Sequence, residues 1–177
     1  MIDIPLDLRP SINGTPIETA PTVAELHAII GTPSRVVELG PPAPVRHRNN
    51  QAHVYDELGL EFREHHYTRR IIEGTIVFWP GEYFPERTPR AAFAGTLNLA
   101  GQVVPAYPEL IDFLKKSPIR FRPFVGGVYG AKRGEFYVGI DAKGKKLASG
   151  RRSKVRRLVD LSFSWPHDDW GQPAGGE

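Results

Sequence analysis

Apolar residues recur along this chain at two spacings, and the switch between them marks out its elements. Val23, Leu26, Ile29 and Ile30 share one face of a helix. Thr22 and Glu25 stand ahead of them as a capping box, in which each side chain satisfies a free backbone donor of the other. Gly31 supplies the stop and Pro33 prevents continuation. A second helix is expected from Pro108 to Lys116, with Leu110, Phe113 and Leu114 as its apolar positions. Pro108 sits in the first turn, where its missing donor costs nothing, and Ser117-Pro118 ends the helix. Elsewhere the pattern reads as strands. In the first half these are Ser11 to Ile17, Arg35 to Leu39, Ala52 to Tyr55, Leu58 to Glu64 and Ile71 to Trp79. In the second half they are Gly95 to Val104, Ile119 to Phe124, Gly127 to Gly130, Glu135 to Ile140 and Val155 to Trp165.

The second set of elements follows the order of the first, and individual residues match across the two. Glu25-Leu26 is answered by Glu109-Leu110, an offset of 84, and Trp79-Pro80 by Trp165-Pro166, an offset of 86. Val54-Tyr55 and Glu61-Phe62 are both answered at an offset of 74, by Val128-Tyr129 and Glu135-Phe136. The expectation is an α+β fold of two tandem repeats, each a strand, a short helix and a three- to four-stranded antiparallel sheet. The expected boundaries are 1–80 for the first repeat, 81–92 for a Pro-rich linker, 93–166 for the second repeat and 167–177 for a flexible tail.

Composition narrows the function classes. At 177 residues the chain can bury a core without staples, and its 17 Pro and 18 Gly imply many turns and short elements. Cys is absent, which excludes disulfides, thiolate nucleophiles and thiolate metal sites. The N-terminus, Met-Ile-Asp-Ile-Pro-Leu-Asp, carries acids where a signal peptide needs positive charge, and no apolar run is long enough to span a membrane. A cytoplasmic protein without a membrane partner is expected. The charge is polarised: residues 1–66 carry five Lys/Arg against nine Asp/Glu, and residues 67–177 carry eighteen against eleven. Such a molecule steers toward charged partners.

Catalytic signatures are weak. No serine lies in a Gly-x-Ser-x-Gly elbow. His53, Asp56 and His65-His66 form the one histidine-rich neighbourhood, but adjacent histidines on a strand point to opposite faces, so no metal and no other cofactor is expected. A small enzyme built on His53, Asp56 and His65 would require these side chains to share a pocket. The acid pairs Asp56-Glu57 and Asp168-Asp169 read as a turn and as tail, and the glycines between Gly126 and Gly134 read as hairpin turns, not a phosphate loop. The strongest local signal is basic. Lys143, Lys145, Lys146, Arg151, Arg152, Lys154, Arg156 and Arg157 lie within fifteen residues that contain no acid. This run suits phosphates or an acidic protein surface, or it is simply a solvated loop; it lacks the interleaved aromatics of single-strand nucleic-acid modules.

The stretch Thr22 to Val36, a short helix ending in Gly-x-Pro before a strand, resembles the repeating unit of the β-lactamase inhibitory protein and of BamE-type lipoproteins. The continuation His53 to Phe62 is similar to a Trp-Asp-x-Leu-Gly-Ile motif of bacterial proteins, some of which resemble immunity proteins that neutralise toxins; here Tyr55 replaces the Trp. The resemblance implies a small binding module without catalytic activity. The expected function is therefore an immunity-type inhibitor that occludes a toxin or effector domain, with a nucleic-acid-binding accessory protein as the alternative. Its contacts are expected from two projecting loops, through Arg46, His47 and Arg48 in one and Lys143, Lys145, Lys146, Arg151, Arg152, Lys154 and Arg156 in the other.

Overall fold

The computed structural model describes residues 1–39, 50–65, 68–80, 88–124, 128–146 and 149–166. It begins with β1 (Ile2–Ile4), the hairpin strands β2 (Ser11–Ile12) and β3 (Thr15–Pro16), and helix α1 (Val23–Ile30). Four strands follow: β4 (Arg35–Glu38), β5 (Gln51–Tyr55), β6 (Leu60–Glu64) and β7 (Ile71–Val77). Then come β8 (Leu97–Leu99), β9 (Gln102–Val104), helix α2 (Leu110–Lys116), β10 (Arg122–Pro123), β11 (Tyr129–Arg133), β12 (Phe136–Lys146) and β13 (Arg152–Ser164).

The helix α1 forms where its capping residues dictate. The Glu25 amide donates to Thr22 Oγ1 at 3.2 Å, and the Thr22 amide donates to Glu25 Oε2 at 2.7 Å. Gly31 ends the helix at φ +86°, its amide bonding to the His27 carbonyl. Leu26 is buried, and Val23, Ile29 and Ile30 pack against the core.

The strands form two sheets. A five-stranded sheet runs β3-β2-β1-β8-β9, with β1 and β8 parallel. An eight-stranded antiparallel sheet runs β10-β11-β12-β13-β7-β6-β5-β4. One hydrophobic core joins them, drawing Ile2, Ile4 and Ile12 from the small sheet and Phe62, Phe163 and Trp165 from the large one. Trp165 is fully buried, stacks on Phe62 at 6.5 Å, and donates its indole N–H to the Ile17 carbonyl at 3.1 Å. That bond satisfies the polar tip of a ring otherwise in an apolar setting. Gly74 lies between Phe62 and Phe163, where a Cβ would stand 2.5 Å from the Phe163 ring.

The expected α+β fold of two tandem repeats is overturned. The molecule is mostly β, with helices of only eight and seven residues. The strands of the two halves do not close as separate small sheets. They join edge to edge, β7 to β13, in one sheet that pairs Gly74 with Phe163 and Ile76 with Leu161. Matched residues also differ in environment: Trp165 is fully buried and Trp79 half-buried, Phe62 buried and Phe136 half-buried. Backbone hydrogen bonding at the β7–β13 seam leaves no internal edge between the halves, which is why one wide sheet replaces two. The expected loop from Gly40 to Asn50 lies, apart from Asn50, outside the described residues, as does the expected tail. Among the described residues no helix is long and apolar enough to cross a membrane.

Candidate functional site

Strand alternation gives the eight-stranded sheet two unlike faces. On the core face, one row across the strands reads His53, Phe62, Gly74, Phe163, Val138 and Ala131, and the next reads Tyr55, Leu60, Ile76, Leu161, Ile140 and Tyr129. On the opposite, open face the rows are polar. One runs Arg63, Glu73, Ser164, Tyr137 and Lys132; the next Glu61, Thr75, Ser162, Gly139 and Gly130; the third Val77, Asp160 and Asp141. The two glycines lower the floor of the middle row. The Tyr137 ring lies over them: a Cβ on Gly130 would meet its hydroxyl at 2.6 Å, and one on Gly139 would meet its ring at 2.9 Å.

Two cavities open on this face and share Ser162. One, of about 500 Å³, is lined by Arg63, Glu73, Lys132, Tyr137 and Ser164 among others. The second, of about 280 Å³, is lined by Glu61, Thr75, Thr88, Asp141 and Asp160. Together they make a groove in the size range of ligand pockets. Arg63 forms an ion pair with Glu73 across the strands. Burial pushes the Asp160 carboxyl up to about 7, and the neighbouring charges of Asp141, Glu73 and Glu61 push in the same direction, opposed by Lys143. Burial also raises the Tyr137 phenol. Strongly shifted groups in a cleft are a mark of functional surfaces.

The basic residues lie beside this groove. β12 pairs with β11 only as far as Ile140, and β13 pairs with β7 only from Asp160 onward. Between these limits the two strands leave the rest of the sheet, pairing Ala142 with Leu158, Lys143 with Arg157, Gly144 with Arg156 and Lys146 with Arg152, with Glu109 bridging to Arg157 at the base. The result is a two-stranded ribbon that runs past its neighbours in the sheet. Its base rests against the start of α2, where the Leu158 amide donates to the Pro108 carbonyl and Arg157 lies 3.6 Å from Glu109. The ribbon braces itself: Arg156 donates through Nε and Nη2 to the Ala142 carbonyl at 3.0 and 2.6 Å, and Arg152 donates to the Gly144 carbonyl at 3.0 Å. Gly144 has no room for a Cβ against the Ser153 carbonyl, so the register shift there requires glycine.

The expected contact residues therefore divide. Arg151 and Lys154 are exposed on the ribbon beside Val155. Arg152, itself exposed, and half-buried Arg156 hold its backbone in shape. Lys143 is half-buried at the groove end. Lys145 and Lys146 belong to β12, but their side chains lie outside the described residues, as do Arg46, His47 and Arg48.

The enzyme constellation does not assemble. Asp56 is held by Arg35 through two 3.0 Å bonds and by the Arg90 amide at 3.0 Å, and these bonds, Arg35 foremost, keep its carboxyl below the usual range. His53 instead bonds Glu64 on the core face. Among the described residues no group of three or more His, Asp or Glu could hold a metal ion. The groove was missed by sequence reasoning, although Asp160, Ser162 and Ser164 alternating with Leu161, Phe163 and Trp165 do signal a strand with one polar face.

The fold and this surface define a mostly β protein whose two sheets enclose one core, with a polar groove on the outer face of the larger sheet and a basic ribbon extending from two of its strands. Residues 9–110 match the family described as a domain of unknown function, DUF7738, and the chain belongs to that family. The matched segment runs from the residues before β2 to the first residue of α2, so the ribbon and β13 lie beyond it. No curated protein and no solved structure matches the chain.

Proposed function

We propose that this protein is a non-enzymatic, cytoplasmic protein-binding module, and in particular an immunity-type inhibitor that occludes a toxin or effector domain. The ribbon is the observation that carries the reading. A braced two-stranded element running beyond the sheet, with Arg151 and Lys154 exposed on it, suits insertion against an acidic protein surface. Its backbone is ordered by Arg152 and Arg156 before any partner arrives, which lowers the conformational cost of binding. The polar groove beside it extends the contact area.

A nucleic-acid partner would use the same charges and gives a different signature. Among the described residues of the ribbon the large apolar side chain exposed is Val155, which offers no stacking surface. The salt dependence of affinity separates the two readings. For a partner captured from source lysate, the proposal expects complexes that survive nuclease treatment and weaken only moderately between 50 and 200 mM salt. A loss of roughly a thousandfold over that range, as phosphate contacts produce, would overturn it.

A further inference from the structure

We propose that the ring of Tyr137, lying flat on the open face of the eight-stranded sheet, is the platform of a carbohydrate site on which one pyranose ring of a neutral oligosaccharide stacks. Gly130 of β11 and Gly139 of β12 are paired neighbours on that face, and Tyr137 leans along its own strand over both. A Cβ on Gly130 would stand 2.8 Å from the Cε2 edge of the ring, and one on Gly139 would stand 2.9 Å from the Cε1 edge. The hydroxyl would lie within 3.0 Å of each. Opposite edges of one ring over neighbouring strands set its plane along the sheet. One face fills the space that two side chains would otherwise take, and the other is turned to the cavity of about 500 Å³ that Tyr137 lines. Phe124, 58% exposed, stands perpendicular to the ring at 6.2 Å and walls one side.

The face of a phenol ring is electron-rich, and the C–H groups on one side of a pyranose are its complement. Hydrogen-bonding groups of both kinds surround the platform. Lys132 on β11 and Ser164 on β13 are its cross-strand neighbours. The Ser162 hydroxyl lies 3.0 Å from the place of a Gly139 Cβ, at the edge of the ring. Beyond Ser164, Arg63 and Glu73 are ion-paired to each other, so they offer donors and acceptors without net charge. Sugar hydroxyls donate and accept, and their bonds to ionised groups are the stronger ones. Other flat ligands fit less well. Glu61, Glu73, Glu135, Asp141 and Asp160 line the two cavities against Arg63 and Lys132, a balance that repels the phosphates of a nucleic-acid strand. An organic cation also favours a π face, but it meets Lys132 and Arg122 on the two strands beside the ring. A neutral polyol meets neither obstacle. The platform uses no residue of the basic ribbon, so it is independent of the protein-binding reading.

The test titrates the full chain with cellotriose, maltotriose and triacetylchitotriose, followed by saturation-transfer NMR on the sugar and by the ring resonances of Tyr137. At least one trisaccharide is expected to bind with a Kd below roughly 10 mM, with saturation concentrated on one face of a pyranose ring. Tyr137→Ala should weaken that sugar at least roughly tenfold, whereas Tyr137→Phe keeps the platform and should stay within roughly threefold of wild type. Ser162→Ala leaves the platform in place and should weaken binding by roughly three- to tenfold, which provides the reading if Tyr137→Ala does not fold. Failure of all three sugars to bind below that limit would overturn the proposal. So would an unchanged affinity in Tyr137→Ala, or in Ser162→Ala should the first variant not fold. A decauridylate or arginine amide that shifts the Tyr137 resonances where the sugars do not would overturn it equally, assigning the platform to a base or a cation.

Discussion

The two faces of the eight-stranded sheet are made by alternate residues of the same strands, yet they serve opposite ends. On β13 and the residue after it, Leu161, Phe163 and Trp165 point into the core, while Asp160, Ser162 and Ser164 point to the open face. The core face is closed by a second sheet and two helices, and its side chains interlock around Gly74 and the aromatic cluster of Phe62, Phe163 and Trp165. The open face keeps polar groups that the fold does not need for packing. Stability resides on the core face, and the proposed recognition surface lies away from it, a division that mutations can probe separately.

The largest effects are expected on the core face. Trp165→Ala removes a fully buried ring and the indole bond to the Ile17 carbonyl, which joins the two halves of the chain, and should cost about 3–5 kcal/mol in urea unfolding. Gly74→Ala forces a methyl group between Phe62 and Phe163 and should cost up to about 3 kcal/mol by the same measurement. If either were neutral, the shared core between the two halves would not be as described.

On the open face the expected changes are smaller and one has the opposite sign. The Asp160 carboxyl rises from 3.8 to about 7 on folding, so the folded chain holds a proton that the unfolded chain has already lost. Its contribution to stability is full below pH 3.8 and is lost as pH rises through about 7. Asp160→Asn should therefore flatten the pH dependence across this window and raise stability at pH 8 by about 2 kcal/mol. A denaturation series from pH 4 to 8 in which the variant tracks the wild type would contradict the raised titration of this half-buried carboxyl. Thr22→Ala, at the N-cap of α1, should cost about 1 kcal/mol through loss of the capping box. Ser162→Ala, at the shared wall of the two open-face cavities, should change melting by no more than about 0.5 kcal/mol, so any effect it has on partner binding would belong to recognition.

Local features of this structure were legible in the sequence, and long-range ones were not. The capping box of Thr22 and Glu25 and the stop at Gly31 depend on residues within one helical turn of each other, and they stand where the pattern placed them. The basic run was visible as composition, but its division into exposed Arg151 and Lys154 and backbone-bracing Arg152 and Arg156 depends on the register of β12 against β13. The repeat reading failed at β7 and β13. Strand-like segments in two halves of a chain look the same whether they close separate sheets or meet in one, and the choice is made by edges more than eighty residues apart. The groove was invisible for the same reason: Arg63, Glu73, Ser164, Tyr137 and Lys132 form one row only after five strands are aligned.

The division between a stabilising face and a recognising ribbon is tested most directly by a paired capture. Wild type and the double variant Arg151→Glu/Lys154→Glu, immobilised side by side, would be exposed to nuclease-treated source lysate at physiological salt, after equal melting temperatures are confirmed. The proposal predicts one protein retained by the wild type and reduced more than roughly tenfold on the variant, as expected for charges at the centre of an interface. Equal retention on both, or no protein retained by the wild type once nucleic acid is digested, would contradict it.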